Sequence, residues 1–329
     1  MTNLVSANTQ AILLLTAPLI VAGTEPATDL LTPGEYKQVA KLLAQLALQP
    51  ADLLNTQADQ LPGELQNLLD GDRCKRLLQR TNQWEQAVEY WQSRAIWVVS
   101  PFDEAYPGRL KERLKDSAPA IIYGAGESAL LEDGGLAVVG SRAVDSLLVE
   151  YTEQVGRLTA LADRSIVSGG ARGIDQAAMR GALSGGGKSV GVLADSLERA
   201  AVNREHSNLL SEGDLVLISP YDPAAGFNIG HAMQRNKLIY ALADAALVVN
   251  SDFDKGGTWA GAVEQLDRLH FVPVYVRDDS AHQGLQGLRL KGAMPWPNPT
   301  TPDELLELLA QSVGTHTTTE NRQLSFLEG

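Results

Sequence analysis

The sequence predicts an α/β protein in which a mostly parallel sheet, wrapped by helices, follows a small helical domain. Three observations predict it. Over the first hundred residues the apolar positions recur at helical spacing, as in Val39, Leu42, Leu43 and Leu46. From Leu136 onward, β-branched and apolar runs alternate with helical stretches, the pattern of strands joined by right-handed helical crossovers. Glycine-rich segments fall where such a strand gives way to a helix.

The helical (SAM-like) domain covers 1–94. The apolar run AILLLTAPLIVAG, Ala11 to Gly23, is read as packing within it. The preceding MTNLVSANTQ lacks the basic residues of a signal peptide, and the run is too short to span a bilayer. Thr32-Pro33-Gly34-Glu35 has capping-box spacing with proline at the first helical position. Further helices are predicted from Pro62 to Asp70, around Asp72 to Gln79 and from Gln83 to Ser93, with Pro50, Pro62 and Gly71 as breaks.

The α/β domain covers 95–277. Its predicted strands are 95–100, 136–140, 164–169, 188–194, 214–219, 246–251 and 270–276. The segment 278–314 is irregular through GAMPWPNPTTP and closes with a short helix, Pro302 to Ser312. The tail, 315–329, is polar and expected to be flexible apart from an apolar end.

Hydrophobic residues form 44% of the 329 residues and the formal net charge is −13. That balance excludes coating nucleic acid by bulk charge, because non-specific binding is driven by phosphate neutralisation. A nucleic-acid site must be a local basic pocket. Cys74 is the sole cysteine, so an internal disulfide and a cysteine-rich zinc site are excluded and a cytoplasmic location is expected. The five histidines are scattered, and neither a metal nor a cofactor is expected.

Three loops follow strands, where a doubly wound sheet collects its ligands. Gly140-Ser141-Arg142 combines a close turn with a guanidinium donor fork. Ser168-Gly169-Gly170-Ala171-Arg172-Gly173 precedes a helix whose inner face would be Ile174, Ala177, Ala178, Gly181 and Ala182. Four of those five are very small, so the helix can lie close to the sheet with its N-terminus at the strand ends. Asp175 in its first turn is suited to hydrogen-bond a ribose or to fix Arg172. Lys255-Gly256-Gly257-Thr258 opens a third helix and offers a second phosphate cradle, or a plain turn. Arg235-Asn236-Lys237 puts two cations on one helical turn. GxGxxG and GxxxxGK[ST] fingerprints are absent, and the GGGKS at Gly185 to Ser189 precedes a strand and reads as a helix stop.

In this order the segments resemble the DNA-processing protein A family, DprA or Smf. Its GSR loop matches Gly140-Ser141-Arg142, and its SGxARGID loop matches Ser168 to Asp175. Its RNR segment matches Arg235-Asn236-Lys237, and its late SGS/T-TA loop matches Gly256-Gly257-Thr258. Asp103 to Pro107, followed by Leu110 and Pro119, is similar to the family's D-x-x-YP-x-x-L approach. The resemblance implies an extended Rossmann-like (DprA/LOG-type) fold and non-catalytic binding of single-stranded DNA or nucleotide phosphates, without base specificity. It offers Arg142, Arg172, Arg235 and Lys237 as phosphate contacts, a homodimer, and RecA as a partner in recombination. Divergent relatives accompany phosphoribosyltransferase toxins in anti-phage modules, as antitoxins. Departures stand at Met179 for a histidine, at Ala194 to Glu198 for GCGLD, and at Ala232-Met233 for an aromatic-proline pair. No C-terminal winged-helix pattern follows.

The alternative is a LOG-type nucleotide phosphoribohydrolase, with Gly256-Gly257-Thr258 as phosphate cradle and Glu264 as the acid. Gln323-Leu324-Ser325-Phe326-Leu327 is similar to the peptide that docks replication proteins to the sliding clamp, a third candidate partner.

Overall fold

The computed structural model describes residues 5–21, 29–55, 63–68, 70–279 and 281–311. The N-terminal segment forms α1 (Ala7–Thr16), α2 (Pro33–Gln45), α3 (Asp52–Asn55), α4 (Gly63–Leu68), α5 (Gly71–Leu78) and α6 (Thr81–Gln92). The Thr32 hydroxyl and the Glu35 carboxylate cap α2 reciprocally, as the spacing predicts. Ala11 to Leu15 are wholly enclosed, so the first part of the apolar run lies on a core helix that ends at Thr16. Half-buried Arg80 donates to the Leu13, Leu14 and Ala17 carbonyls and so helps to satisfy the carbonyl end of α1.

Nine strands form one sheet: β1 (Ile96–Val99), β2 (Ile122–Gly126), β3 (Leu136–Val139), β4 (Ile166–Ser168), β5 (Ser189–Val192), β6 (Leu215–Ser219), β7 (Ala245–Val248), β8 (Val274–Val276) and β9 (Met294–Pro295). Their order is β1-β2-β6-β5-β4-β3-β7-β8-β9. The first two pairings, β1 with β2 and β2 with β6, are antiparallel, and the rest are parallel. Neither β2 nor β9 follows from the sequence pattern. The glycines of IYGAG read as a turn, and Met294-Pro295 is too short to alternate.

Helices α7 (Gly108–Leu114), α8 (Ser146–Leu161), α9 (Ile174–Ser184), α10 (Leu197–Ala201), α11 (Arg204–Glu212), α12 (Ile229–Leu242), α13 (Gly256–Glu264), α14 (Gln283–Leu290) and α15 (302–311) complete the fold. Successive strand residues face opposite sides. Leu136 and Val138 join one core with α8, α9, α15 and the N-terminal helices. Ala137 and Val139 join the other with α7, α12, α13 and α14. The N-terminal helices therefore share a hydrophobic cluster with one face of the sheet. The Asp103 carboxylate ties α1 to the turn after β1 by accepting from Thr9 Oγ1 and the Ser100 N–H. The Tyr106 hydroxyl donates to the Pro119 carbonyl. Among the described residues no helix is long and apolar enough to cross a membrane.

The chain runs β3, β4, β5, β6 in one direction and then crosses to place β7 on the other side of β3. This reversal opens a crevice at the carboxyl ends of β3, β4 and β7. Helix α9 reaches that crevice because its inner face is nearly bare. Ile174, Ala177, Ala178, Gly181 and Ala182 are all buried. A Cβ at Gly181 would collide with the backbone of Glu153 in α8, lying 2.7 Å from its Cα. Backbone cannot yield as a flexible side chain does, so Gly181→Ala should destabilise the fold by about 1–3 kcal/mol, read as a lower urea midpoint.

Candidate nucleic-acid phosphate site

The loops after β3, β4 and β7 meet in the crevice, held together by side chains of their own. The Thr258 hydroxyl at the start of α13 donates to the Gly140 carbonyl at 3.0 Å. The Asn236 amide, from α12, donates to the Gly257 carbonyl at 2.9 Å. Ser141 Oγ lies 3.2 Å from Asn250 Oδ1, and Ser168 Oγ donates to the Val138 carbonyl at 2.6 Å. Gly173 has φ +89°, and a side chain there would strike the Ser141 and Arg142 carbonyls. Only glycine lets the second loop lie on the first.

Asp175 sits at the centre, 6% exposed. Its carboxylate accepts from the Gly169 N–H at 3.1 Å, and the Ala171 and Gly140 N–H groups also point to it. The amides that a glycine-rich crossover loop presents to a phosphate are here spent on a carboxylate of the chain itself. This corrects the expectation that Asp175 meets a ribose or fixes Arg172: it closes two loops from within. Burial pushes its carboxyl up to about 6, against the opposing pull of Arg235 and the three N–H groups.

Arg235 is 5% exposed and donates to the Gly169 carbonyl at 2.6 Å and to the Val192 carbonyl. Its Nε has no protein partner among the described residues. Arg109 and Arg113, from α7, donate to the last carbonyls of α12 and fix the helix that carries it. Lys237 is half-buried in the field of Glu264 and Arg268, and burial lowers its pKa. The two cations read as one phosphate-binding pair therefore turn to different neighbours. Arg235 is a buried brace, and Lys237 belongs to the α12–α13 contact.

Outside this brace runs a groove of about 880 Å³ along α9, α10 and α11. Arg142, Arg172, Arg180 and Arg199 line it, over apolar side chains that include Met179, Leu183 and Leu193. Arg180 pairs with Glu153 at 2.8 Å. Arg142, Arg172 and Arg199 are exposed and enter no ion pair among the described residues. The Arg142 guanidinium stands 5.1 Å from the ring centroid of Phe227, itself 56% exposed. Arg142 and Arg172 are foreseen from the sequence, whereas Arg199, Asp195 and Phe227 are not. The available signal was position: Asp195 and Arg199 follow β5, a neighbour of β4 on the same rim.

Among the described residues no group of three histidine, cysteine, aspartate or glutamate side chains could hold a metal. Glu264 is paired with Arg268. It lies at the far end of α13 from Gly256, about 12 Å along the helix axis. The peptide Gln323-Leu324-Ser325-Phe326-Leu327 lies outside the described residues.

Residues 97–309 match the model of the DNA recombination-mediator protein A family. DNA processing protein DprA of Streptococcus pneumoniae is 31% identical over 195 residues, 57% of this chain and 67% of that protein. Protein Smf of Escherichia coli is 33% identical over 231 residues, 67% of this chain and 58% of that protein. The chain thus spans between about half and two thirds of the length of the curated relatives it matches. The X-ray structure of the Streptococcus pneumoniae DprA superposes with TM-score 0.62 at 22% identity, over 92% of this chain and 98% of that one. DprA of Helicobacter pylori, whose structure is described for its single-stranded DNA binding mode, superposes with TM-score 0.54 at 23% identity, over 66% of this chain and 97% of that one.

The buried acids make stability depend on pH. The folded Asp175 carboxyl holds its proton up to about pH 6, as does Asp222, which burial raises similarly. An unfolded aspartate releases its proton near about pH 3.9. The folded chain therefore binds more protons within that window, and stability falls as pH rises from about 4 to 6. Urea midpoints across the window should show this fall, and Asp175→Asn should reduce it while leaving the share due to Asp222.

Proposed function

The chain belongs to the DNA recombination-mediator protein A family, and from that premise we propose that it binds single-stranded DNA through phosphates held along the arginine-lined groove, without catalysing a reaction. One observation carries this reading. A chain of net charge −13 turns Arg142, Arg172 and Arg199 into a single groove, and among the described residues none of them has an acidic partner. Unpaired guanidinium groups over an apolar floor suit a strand whose phosphates face outward and whose bases face in. The single-stranded DNA bound by the Helicobacter pylori relative supports the same ligand class. A free nucleotide is the weaker fit, because Asp175 fills the amide nest where its phosphate would sit and Glu264 is remote from the loops.

On this reading the protein works in the cytoplasm as a homodimer in DNA processing and recombination, with RecA as the partner expected in a pull-down. A phosphoribosyltransferase recovered in place of RecA would assign it instead to an anti-phage module as an antitoxin. The tail Gln323, Leu324, Phe326 and Leu327 is proposed as a sliding-clamp ligand, and truncation after Thr319 should abolish clamp association.

Binding should weaken steeply with salt. Replacing Arg142 and Arg172 together by alanine should lower affinity for all single strands alike and reduce the log–log salt slope by about 0.7 for each phosphate no longer neutralised. Fluorescence anisotropy over a salt series checks both. Undiminished affinity in the double variant would sink the reading, and so would release of free base from a nucleoside monophosphate.

A further inference from the structure

Asp195 stands in the same groove as the three unpaired arginines, and phosphate binding gives it nothing to do. It follows β5 and is half-buried. The next residue, Ser196, has φ +54°, an uncommon conformation for a non-glycine residue that turns the chain sharply at this point. Among the described residues its carboxylate makes no hydrogen bond or ion pair, although its field reaches Arg235 and His231. The other acid in the groove, Glu205, has an ordinary explanation, since it lies exposed in the first turn of α11. An acid facing a phosphate groove opposes binding unless it receives hydrogen bonds from the ligand.

A carboxylate only accepts, through two oxygens side by side. A strand held by its phosphates on Arg142, Arg172 and Arg199 turns bases toward the apolar floor of Met179, Leu183 and Leu193, and so toward Asp195. Guanine alone among the DNA bases presents two adjacent donors, N1–H and N2–H, which match the two oxygens. Thymine presents one N–H between two carbonyls, which the carboxylate repels.

We propose that Asp195 reads a base in this groove and selects guanine. The inference rests on the groove being a single-strand site and departs from the base-independent binding that the family resemblance implies.

The test compares an all-dT strand with one of the same length carrying a single central dG, by anisotropy with the full chain. The wild type should bind the dG strand about tenfold more tightly, the discrimination expected of one bidentate contact. Hypoxanthine in place of guanine removes the N2 amine and should forfeit most of that ratio. Asp195→Ala should bring the ratio to one while tightening the all-dT strand, since it removes a repelling charge. Asp195→Asn, equal in size, should lose the preference without loss of folding. Equal wild-type affinity for the two strands overturns the inference and leaves strand binding intact, as does a guanine preference that survives Asp195→Ala. Failure of every strand to bind overturns the strand-site reading and this inference with it.

Discussion

The buried carboxylate of Asp175 occupies the amide nest formed by Gly140, Gly169 and Ala171, and the rest of the site is arranged around that contact. In nucleotide-binding crossovers such amides meet the phosphate of a ligand. Here an internal anion satisfies them, which fixes two loops to one helix and requires a compensating cation within reach. Arg235 supplies it from α12 and braces the Gly169 and Val192 carbonyls as well. With the nest filled, an external anion is left to the guanidinium groups outside it, and the ligand site moves from the loop backbone to the adjoining groove.

Much of this was legible in the sequence. Strands β3 to β8 show as apolar runs between turn residues, and the small inner face of α9 shows as a helical repeat. The glycine loops fall directly after strands, so a doubly wound order brings them together. The direction of the polar side chains was not legible. Arg235 and Lys237 are two residues apart on one helix and turn to different elements, a distinction set by which neighbours pack against α12. The electrostatic coupling between Asp175 and Arg235 joins positions far apart in the chain, and nothing local announces it. Strand β2 was hidden because antiparallel pairing breaks the alternation of strand and helix and because glycines at 124 and 126 resemble a turn. Asp195 lies within Ala194 to Glu198, where the chain departs from the family pattern, and it and Arg199 are marked only by their position after β5.

The overall acidity gives the groove a particular character. At low ionic strength the net charge of −13 repels a nucleic acid at long range. Near physiological salt the screening length is about 8 Å, and a strand at the groove responds mainly to the arginines beside it. Such a surface disfavours non-specific coating while leaving one basic channel. The N-terminal helices contribute indirectly, by covering one face of the sheet and sharing its core.

The most direct test is an amide and arginine side-chain NMR titration of the protein with a single strand. The account predicts that the Gly169 and Ala171 amides are already protected from exchange before the strand is added and stay so, while the Nε–H signals of Arg142, Arg172 and Arg199 shift. Amides that exchange freely in the unliganded protein and become protected only with the strand would contradict it, because the nest would then be the ligand site and Asp175 would not fill it.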